Sequence, residues 1–295
     1  MKATLLEGKP LARRIEALVS EEVAQLKMAG VVPSLAVVLV GDDPASRLYV
    51  TGKAKACMRV GIGSSTIELA ADVPQSELLG VIDRLNRDER VHGILVQLPL
   101  PAAIDAEQVF SGIDPVKDVD GLTPENLGKL LLGYPYVVPC TPLGILELLN
   151  HYQVPIEGAN VVIVGRSSIV GKPLAALLMA KAKGRNCTVT VCHSRTRDVV
   201  QLTRLADMVV VAMGSPRFLK ADMIKAGAIV IDVGVNRITD SSVEKGYLVV
   251  GDADFAPLTE VASYITPVPG GVGLLTVAML LKNTAKVARN QACRP

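Results

Sequence analysis

Apolar positions recur along this chain with two periods, and the switching between them divides it into elements before any chemistry is considered. Leu11, Ile15, Leu18, Val19, Val23 and Leu26 repeat at helical spacing from about residue 10 to 28, with Arg13, Arg14, Glu21 and Glu22 on the other faces. This predicts a surface helix lying on a core. Leu35-Ala-Val-Val-Leu-Val40 is an unbroken apolar run, too short for a helix, and predicts a parallel strand buried on both faces. Gly41-Asp-Asp-Pro44 turns the chain, and Ser46 is expected to cap a second helix. Residues 64–69 alternate as a strand, 75–87 read as a polar helix, and Gly93-Ile-Leu-Val-Gln-Leu98 reads as a third strand. The rhythm is that of a parallel α/β sheet with right-handed crossovers.

From residue 99 to 142 the rhythm breaks into a connection rich in proline and glycine, which marks a domain junction. A helix is expected over 143–151. A second series then opens at Val161-Val-Ile-Val-Gly165, with strands near 188–192, 208–212, 228–232 and 247–250, as in a nucleotide-binding sheet. A closing helix over about 274–288, apolar along Leu275, Ala278, Met279 and Leu281, is expected to return to the first domain. The fold class is α/β with two parallel-sheet domains. Residues 1–142 plus 268–295 form a catalytic domain, and 143–267 form a Rossmann-like dinucleotide domain.

The 295 residues suffice for two domains of common size, and 49% hydrophobic content supplies two cores. A net charge of +2 with no run of like charge does not favour nucleic acid or an anionic membrane. With no Trp and three Phe, base-stacking platforms are poorly supplied. Five scattered cysteines (Cys57, Cys140, Cys187, Cys192 and Cys293) without a C-x-x-C pair argue for reduced thiols in a cytoplasmic setting, and against a disulfide framework or a zinc site. No apolar run approaches a membrane span, and the first 14 residues lack the apolar core of a signal peptide, so an untargeted soluble protein is expected.

The stretch Val161-Val-Ile-Val-Gly-Arg-Ser-Ser-Ile-Val-Gly-Lys-Pro173 carries the first chemical signal. A buried strand ends in a tight turn at Gly165, and Pro173 fits an N-terminal helical position. Small Ser167 and Ser168, with Gly171 at the helix start, let backbone N–H groups point at an anion. Serine stands where the second glycine of G-x-G-x-x-G belongs, so an ordinary strand-turn-helix corner is the alternative. The later strand ending at Cys192 leads into His193-Ser-Arg-Thr-Arg197, where an NAD site places an acid for the ribose. No acid stands there. Ser194, Arg195 and Arg166 offer donors and positive charge suited to a 2′-phosphate, which favours NADP, against the alternative of a solvated basic turn.

Tyr49 and Lys53 are four apart on one helix and share a face. A lysine among apolar neighbours sheds part of its hydration and can exchange protons near neutral pH, whereas a solvated helix lysine does neither. Short-chain dehydrogenases use the same spacing, but there the nucleotide glycines precede the pair, and here the order is reversed. Gln97 stands at the carboxyl end of the third strand, where ligands sit in open α/β sheets. Asp120, two residues past Asp118, is a candidate acceptor for heterocycle N–H groups or the pivot of an Asx turn. His92 and His151 lack spacing partners, and no metal-ligand cluster is present.

Together, Ser46-x-x-Tyr49-x-x-x-Lys53, Val96-Gln-Leu-Pro-Leu-Pro101, Lys117-Asp-Val-Asp-Gly121, Pro139-Cys-Thr-Pro142, Gly165-Arg-Ser-x-x-Val-Gly-x-Pro173, Asp232-Val-Gly-Val-Asn-Arg237, Gly251-Asp-x-Asp254 and Thr266-Pro-Val-Pro-Gly-Gly-Val-Gly273 span nearly the whole chain. In this order and spacing they resemble the bifunctional methylenetetrahydrofolate dehydrogenase/cyclohydrolase family. The resemblance implies two reactions in one cleft between the domains: NADP-dependent oxidation of 5,10-methylenetetrahydrofolate, then hydrolysis of the methenyl cation to 10-formyltetrahydrofolate. It implies that Lys53 transfers the proton of the hydrolysis with help from Gln97, that Tyr49 stacks on the aminobenzoate, and that Asp120 binds the pterin. Pro269, Gly270 and Gly271 line the folate side. By the same resemblance Gly165, Arg166 and Ser167 meet the pyrophosphate and adenosine portion, Ser194 the 2′-phosphate, where Arg195 adds the positive charge noted above, and Val235 the nicotinamide half. It further implies a homodimer formed through the second domain.

One departure stands out. After Gly273 the family usually continues Pro-Met-Thr, whereas this chain has Leu274-Leu-Thr276 and so lacks a helix-initiating proline. An altered wall for folate or nicotinamide is expected, with activity retained. Leu274→Pro is therefore expected to move a Michaelis constant in steady-state dehydrogenase assays; a normal rate with unmoved constants would show that the wall is unchanged.

Overall fold

The structure is a computed structural model that describes residues 2–240, 242–243 and 246–293. In chain order the elements are β1 (Thr4–Leu5), α1 (Gly8–Met28), β2 (Ser34–Val40), α2 (Pro44–Val60), β3 (Gly63–Leu69), α3 (Gln75–Arg87), β4 (Gly93–Val96), α4 (Ala106–Ser111) and α5 (Pro124–Leu131). They continue with α6 (Cys140–His151), β5 (Asn160–Val164), α7 (Gly171–Met179), β6 (Thr188–Cys192), α8 (Val199–Leu205), β7 (Met208–Val211) and β8 (Ile229–Asp232). The last are β9 (Asn236–Thr239), β10 (Tyr247–Val250), α9 (Phe255–Leu258), β11 (Tyr264–Ile265) and α10 (Val272–Ala292). The chain divides into two units. Among the described residues no helix is long and apolar enough to cross a membrane.

One unit comprises Arg13–Cys140 and Val277–Pro295. Its sheet has the order β3-β2-β4, all parallel, with Val38 opposite both Ile67 and Val96. The central strand β2 is buried along six of its seven residues, as its continuous apolar run requires. The closing helix α10 does return to this unit, where Arg289 pairs with Glu22 of α1 at 2.8 Å. Two local readings change. The cap of α2 is Asp43, not Ser46: Asp43 Oδ2 accepts from Ser46 N at 2.7 Å and from the Ser46 hydroxyl at 2.8 Å, because Pro44 opens the helix and moves the cap one residue before it. The stretch 99–142 also holds two short helices, α4 and α5. Asp105 caps the first by accepting from Glu107 N and Gln108 N, and Thr123 caps the second ahead of Pro124. Their prolines and glycines are boundaries of helices rather than a continuous loop.

The other unit comprises Met1–Ala12 and Thr141–Thr276, around a six-stranded sheet of order β1-β11-β8-β7-β5-β6. All its pairings are parallel. Strands β7 and β8 are buried at every residue and β5 at four of five. The expected strand over 247–250 exists but stands outside this sheet, paired antiparallel with β9 in a separate ribbon. Its four residues are all half-buried, a pattern that a strand covered on both faces does not show. Helix α10 begins at Val272 without the proline.

Gly165 and Gly171 decide the β5-α7 corner. Gly165 has φ +132°, and a Cβ at Gly171 would lie 2.0 Å from the Gly165 carbonyl oxygen. Since the obstacle is backbone, Gly171→Ala is expected to destabilise this unit by about 3 kcal/mol. Gly273→Ala, which meets nothing within 4 Å, is expected to be neutral or slightly stabilising. Thermal unfolding of the two variants side by side checks the contrast.

Candidate functional site

Parallel strands deliver their carboxyl ends to one edge of a sheet, and the candidate residues lie at those ends or on the elements that follow. In the unit with β2 at its centre, Gln97 directly follows β4 and is buried, with 8% of its surface exposed. Lys53 Nζ, from the middle of α2, donates to Gln97 Oε1 at 2.9 Å, and Gln97 Nε2 donates to the Leu98 carbonyl at 2.5 Å. The amide is thereby fixed in orientation, and its oxygen aims the lysine. Of the two settings open to Lys53, apolar or solvated, the structure gives an intermediate one: the residue is half-buried, and its polar neighbours include the Gln97 amide and the Asp120 charge. Tyr49, one turn earlier on α2, is 53% exposed and leaves its ring open to solvent.

The two carboxylates of Lys117-Asp-Val-Asp-Gly121 have separate tasks. Asp118 is buried and accepts from Gly121 N at 2.8 Å, Thr123 N at 2.9 Å and Asn126 Nδ2 at 2.8 Å, so the turn-forming role belongs to it. Asp120 takes no part in that turn. Burial of its carboxyl pushes its pKa up, against the pull of the Lys53 charge, with Asp118 adding to the rise and a hydrogen bond to Cys140 opposing it. The Cys140 thiol is pushed well above its ordinary range, first by burial and then by the Asp120 charge, which leaves it protonated at neutral pH.

Asn283 escaped the sequence reading. From α10 its Nδ2 donates to the carbonyls of Val119 at 2.9 Å and Val138 at 3.0 Å, and it lies 3.6 Å from Cys140 Sγ. It pins both chain segments that flank Asp120. The available signal was an asparagine four residues after Met279 and eight after Leu275, on the apolar stripe of the helix.

In the other unit, Arg166 and Ser167 follow β5, Ser194 and Arg195 follow β6, and all four are exposed. Ser167 Oγ accepts from Val170 N at 3.1 Å, and His193 Nδ1 accepts from Arg195 N at 3.1 Å, so both turns are locally braced. Among the described residues neither guanidinium is engaged in an ion pair. Two serines and two unpaired arginines without a carboxylate at the end of β6 suit a phosphorylated ribose. Ile169, Met213 and Val235, in the segments after β5, β7 and β8, expose 39%, 40% and 53% of their surface, an apolar supply at the same sheet edge. Pro269 is exposed, Gly270 half-buried, and Gly271 buried with its carbonyl oxygen 2.2 Å from where a Cβ of Gly8 would stand. The structure leaves Gly271 as a packing residue against the start of α1.

Asp232 and Asp252 are a second pair that sequence reasoning quoted within motifs but gave no task. Both are buried and accept backbone N–H groups, and burial raises the Asp232 pKa to about 6 despite three such bonds.

For a carboxyl whose folded pKa is raised, the stability contribution is complete below the unfolded pKa and is lost as pH rises through the folded one. Asp120 therefore costs stability at neutral pH. Asp120→Asn is expected to raise the melting temperature at pH 7, by an increment that shrinks as pH falls toward 4; a lower melting temperature throughout would refute the burial argument.

Comparison with known proteins agrees with this geometry. Residues 6–120 match the family model described as tetrahydrofolate dehydrogenase/cyclohydrolase, catalytic domain, and residues 139–292 match its NAD(P)-binding domain. The bifunctional protein FolD of Chlorobium phaeobacteroides is 52% identical over 288 residues, covering 97% of this chain and 98% of that protein. FolD of Acetivibrio thermocellus is 50% identical, with 99% of each chain covered. The crystal structure of bifunctional FolD, methylenetetrahydrofolate dehydrogenase/cyclohydrolase, from Campylobacter jejuni superposes with a TM-score of 0.92 at 48% identity, over 98% of this chain and 99% of that one. The Trypanosoma brucei methylenetetrahydrofolate dehydrogenase-cyclohydrolase, solved with NADP and an inhibitor, gives 0.93 at 41% identity over the whole of both chains.

Proposed function

From a chain that belongs to the tetrahydrofolate dehydrogenase/cyclohydrolase family, we propose how its own residues divide that family's two reactions. The protein is a bifunctional enzyme of one-carbon folate metabolism. With NADP it oxidises 5,10-methylenetetrahydrofolate to the 5,10-methenyl compound, and it hydrolyses that product to 10-formyltetrahydrofolate. The contact of Lys53 Nζ with Gln97 Oε1 carries the assignment of the hydrolysis.

The methenyl bridge is already an electrophile, so its hydration needs a placed water and a group that manages the proton. Lys53 is that group. Gln97 holds the ammonium at 2.9 Å and, being locked to the Leu98 carbonyl, holds it in one direction. Tyr49 offers an exposed ring four residues away for the aminobenzoate, and Asp120 accepts from the pterin N–H groups. Pro269, Gly270 and Gly271 contribute the remaining wall for folate, Gly271 through the backbone shape that it permits.

When bound, NADP supplies the hydride acceptor. Gly165, Arg166 and Ser167 face its pyrophosphate and adenosine portion, Ser194 and Arg195 its 2′-phosphate, and Val235 its nicotinamide half. What supports this placement is the exposed set of donors after β5 and β6, whose two guanidiniums make no ion pair among the described residues, together with the exposed valine after β8. The functional division in this reading is 1–142 plus 268–295 for folate and 143–267 for the dinucleotide, although residues 1–12 and 268–276 belong by packing to the unit with the six-stranded sheet. The same reading includes a cytoplasmic enzyme, a chain that does not engage nucleic acid, and a homodimer formed through the dinucleotide domain, whose mass in solution is the check.

Lys53→Met is expected to keep folate binding while cyclohydrolase turnover falls on the order of a hundredfold or more. Loss of absorbance from added methenyltetrahydrofolate, beside a folate-binding titration, checks this; retained hydrolysis removes Lys53 from the role.

A further inference from the structure

Two buried carboxylates stand behind the sheet edge assigned to the nicotinamide, and the reactions as described do not use them. Asp252, fully buried, follows β10. Its Oδ2 accepts from Met213 N at 2.6 Å and Gly214 N at 2.9 Å, and its Oδ1 accepts from Asn236 Nδ2 at 2.8 Å. Asp232 closes β8. Its Oδ1 accepts from Gly234 N at 3.0 Å and Asp252 N at 2.9 Å, and its Oδ2 accepts from Ala253 N at 2.9 Å. The chain segments leaving β7, β8 and β10 are thus tied to two side chains. The tied atoms adjoin the apolar side chains that remain exposed: Met213 supplies one of the N–H groups, and Val235 lies between Gly234 and Asn236.

Both Asp252 oxygens accept N–H groups, so an amide there loses the charge and keeps the bonds from Met213 N and Gly214 N only if the Asn236 amide turns over and gives up its contact with the Val250 carbonyl. Glycine neighbours let the backbone approach both carboxylates closely. A Cβ at Gly234 would come 2.3 Å from Asp252 Cγ, and one at Gly251 would come 1.8 Å from Asp232 Oδ2. A lock that uses every acceptor and is closed by two glycines fixes the height of the Met213-Gly214 and Gly234-Val235 segments.

We propose that Asp252, braced by Asp232, is a positioning residue for hydride transfer, which sets the segments carrying Met213 and Val235 against the nicotinamide ring. This rests on the reading of Val235 given above. Hydride transfer depends on orientation, so a small displacement of these segments costs turnover as well as cofactor affinity, whereas hydrolysis by Lys53 and Gln97 uses neither segment.

The test is Asp252→Asn, with both activities measured on the same preparation and hydrolysis measured without NADP. Dehydrogenase turnover is expected to fall about tenfold or more, with a raised Michaelis constant for NADP, while the hydrolysis of methenyltetrahydrofolate stays within about twofold. An unchanged dehydrogenase, or two activities falling in parallel as a merely structural role requires, overturns the proposal. Should Asp252→Asn fail to fold, Asn236→Ala removes one donor to the same carboxylate and carries the test, with a smaller loss confined to the dehydrogenase expected and no loss overturning it. Val235→Ala separates the two ideas. If it moves the NADP constant and the Asp252 and Asn236 variants do not, the positioning inference fails alone; if Val235→Ala moves nothing, the underlying cofactor reading fails.

Discussion

Burying a carboxylate is costly unless each oxygen is met by donors, and the architecture at the strand ends follows from meeting that condition. Asp118, Asp232 and Asp252 each accept three N–H groups from neighbouring turns. In every case the satisfied carboxylate fixes a loop that leaves a strand or closes one. Loops of this kind are otherwise the least constrained parts of an α/β fold, and they are where ligands sit. Fixing them with side chains that no ligand has to touch leaves the exposed residues of the same loops free for binding.

Asp120 shows the other side of that arrangement. It lies two residues from Asp118 in a similar peptide, yet the donors of the turn go to Asp118, and Asp120 keeps a raised pKa beside Lys53 and a protonated Cys140. A carboxyl held at a raised pKa costs the folded chain stability at neutral pH. Under the proposed function that cost is the trade for a group that meets the pterin.

Much of this was legible in the sequence, for identifiable reasons. Apolar runs such as residues 35–40 and 161–164 read as strands covered on both faces because they are too short for helices, and the four-residue spacing of Tyr49 and Lys53 placed both on one helix. The meeting of Lys53 with Gln97 was implied by the family resemblance, since the residues alone placed Lys53 on a helix and Gln97 at a strand end without joining them. What could not be read depended on which of several equivalent groups wins a shared partner. Asp43 and Ser46 are both good caps, and Pro44 decides between them. Asp118 and Asp120 are both able to pivot a turn, and only the three-dimensional supply of N–H groups separates them. The ribbon of β9 and β10 was legible as a strand but not as a separate sheet, because four half-buried residues carry no statement of their partner.

The missing proline at position 274 fits the same logic. Helix α10 starts at Val272 because Leu275 is fully buried against Gly144, where a Cβ would lie 2.9 Å from the Leu275 Cβ, and because Val272 and Ala278 are buried as well. Packing rather than a fixed φ sets the first turn. Leu274 itself is 44% exposed, so its side chain adds apolar surface where a proline would have added stiffness. The departure therefore places an exposed leucine on the first turn of α10 where a proline would have stood. Under the proposed function that surface bears on how a ligand is held, while the proton chemistry stays with the contact of Lys53 and Gln97.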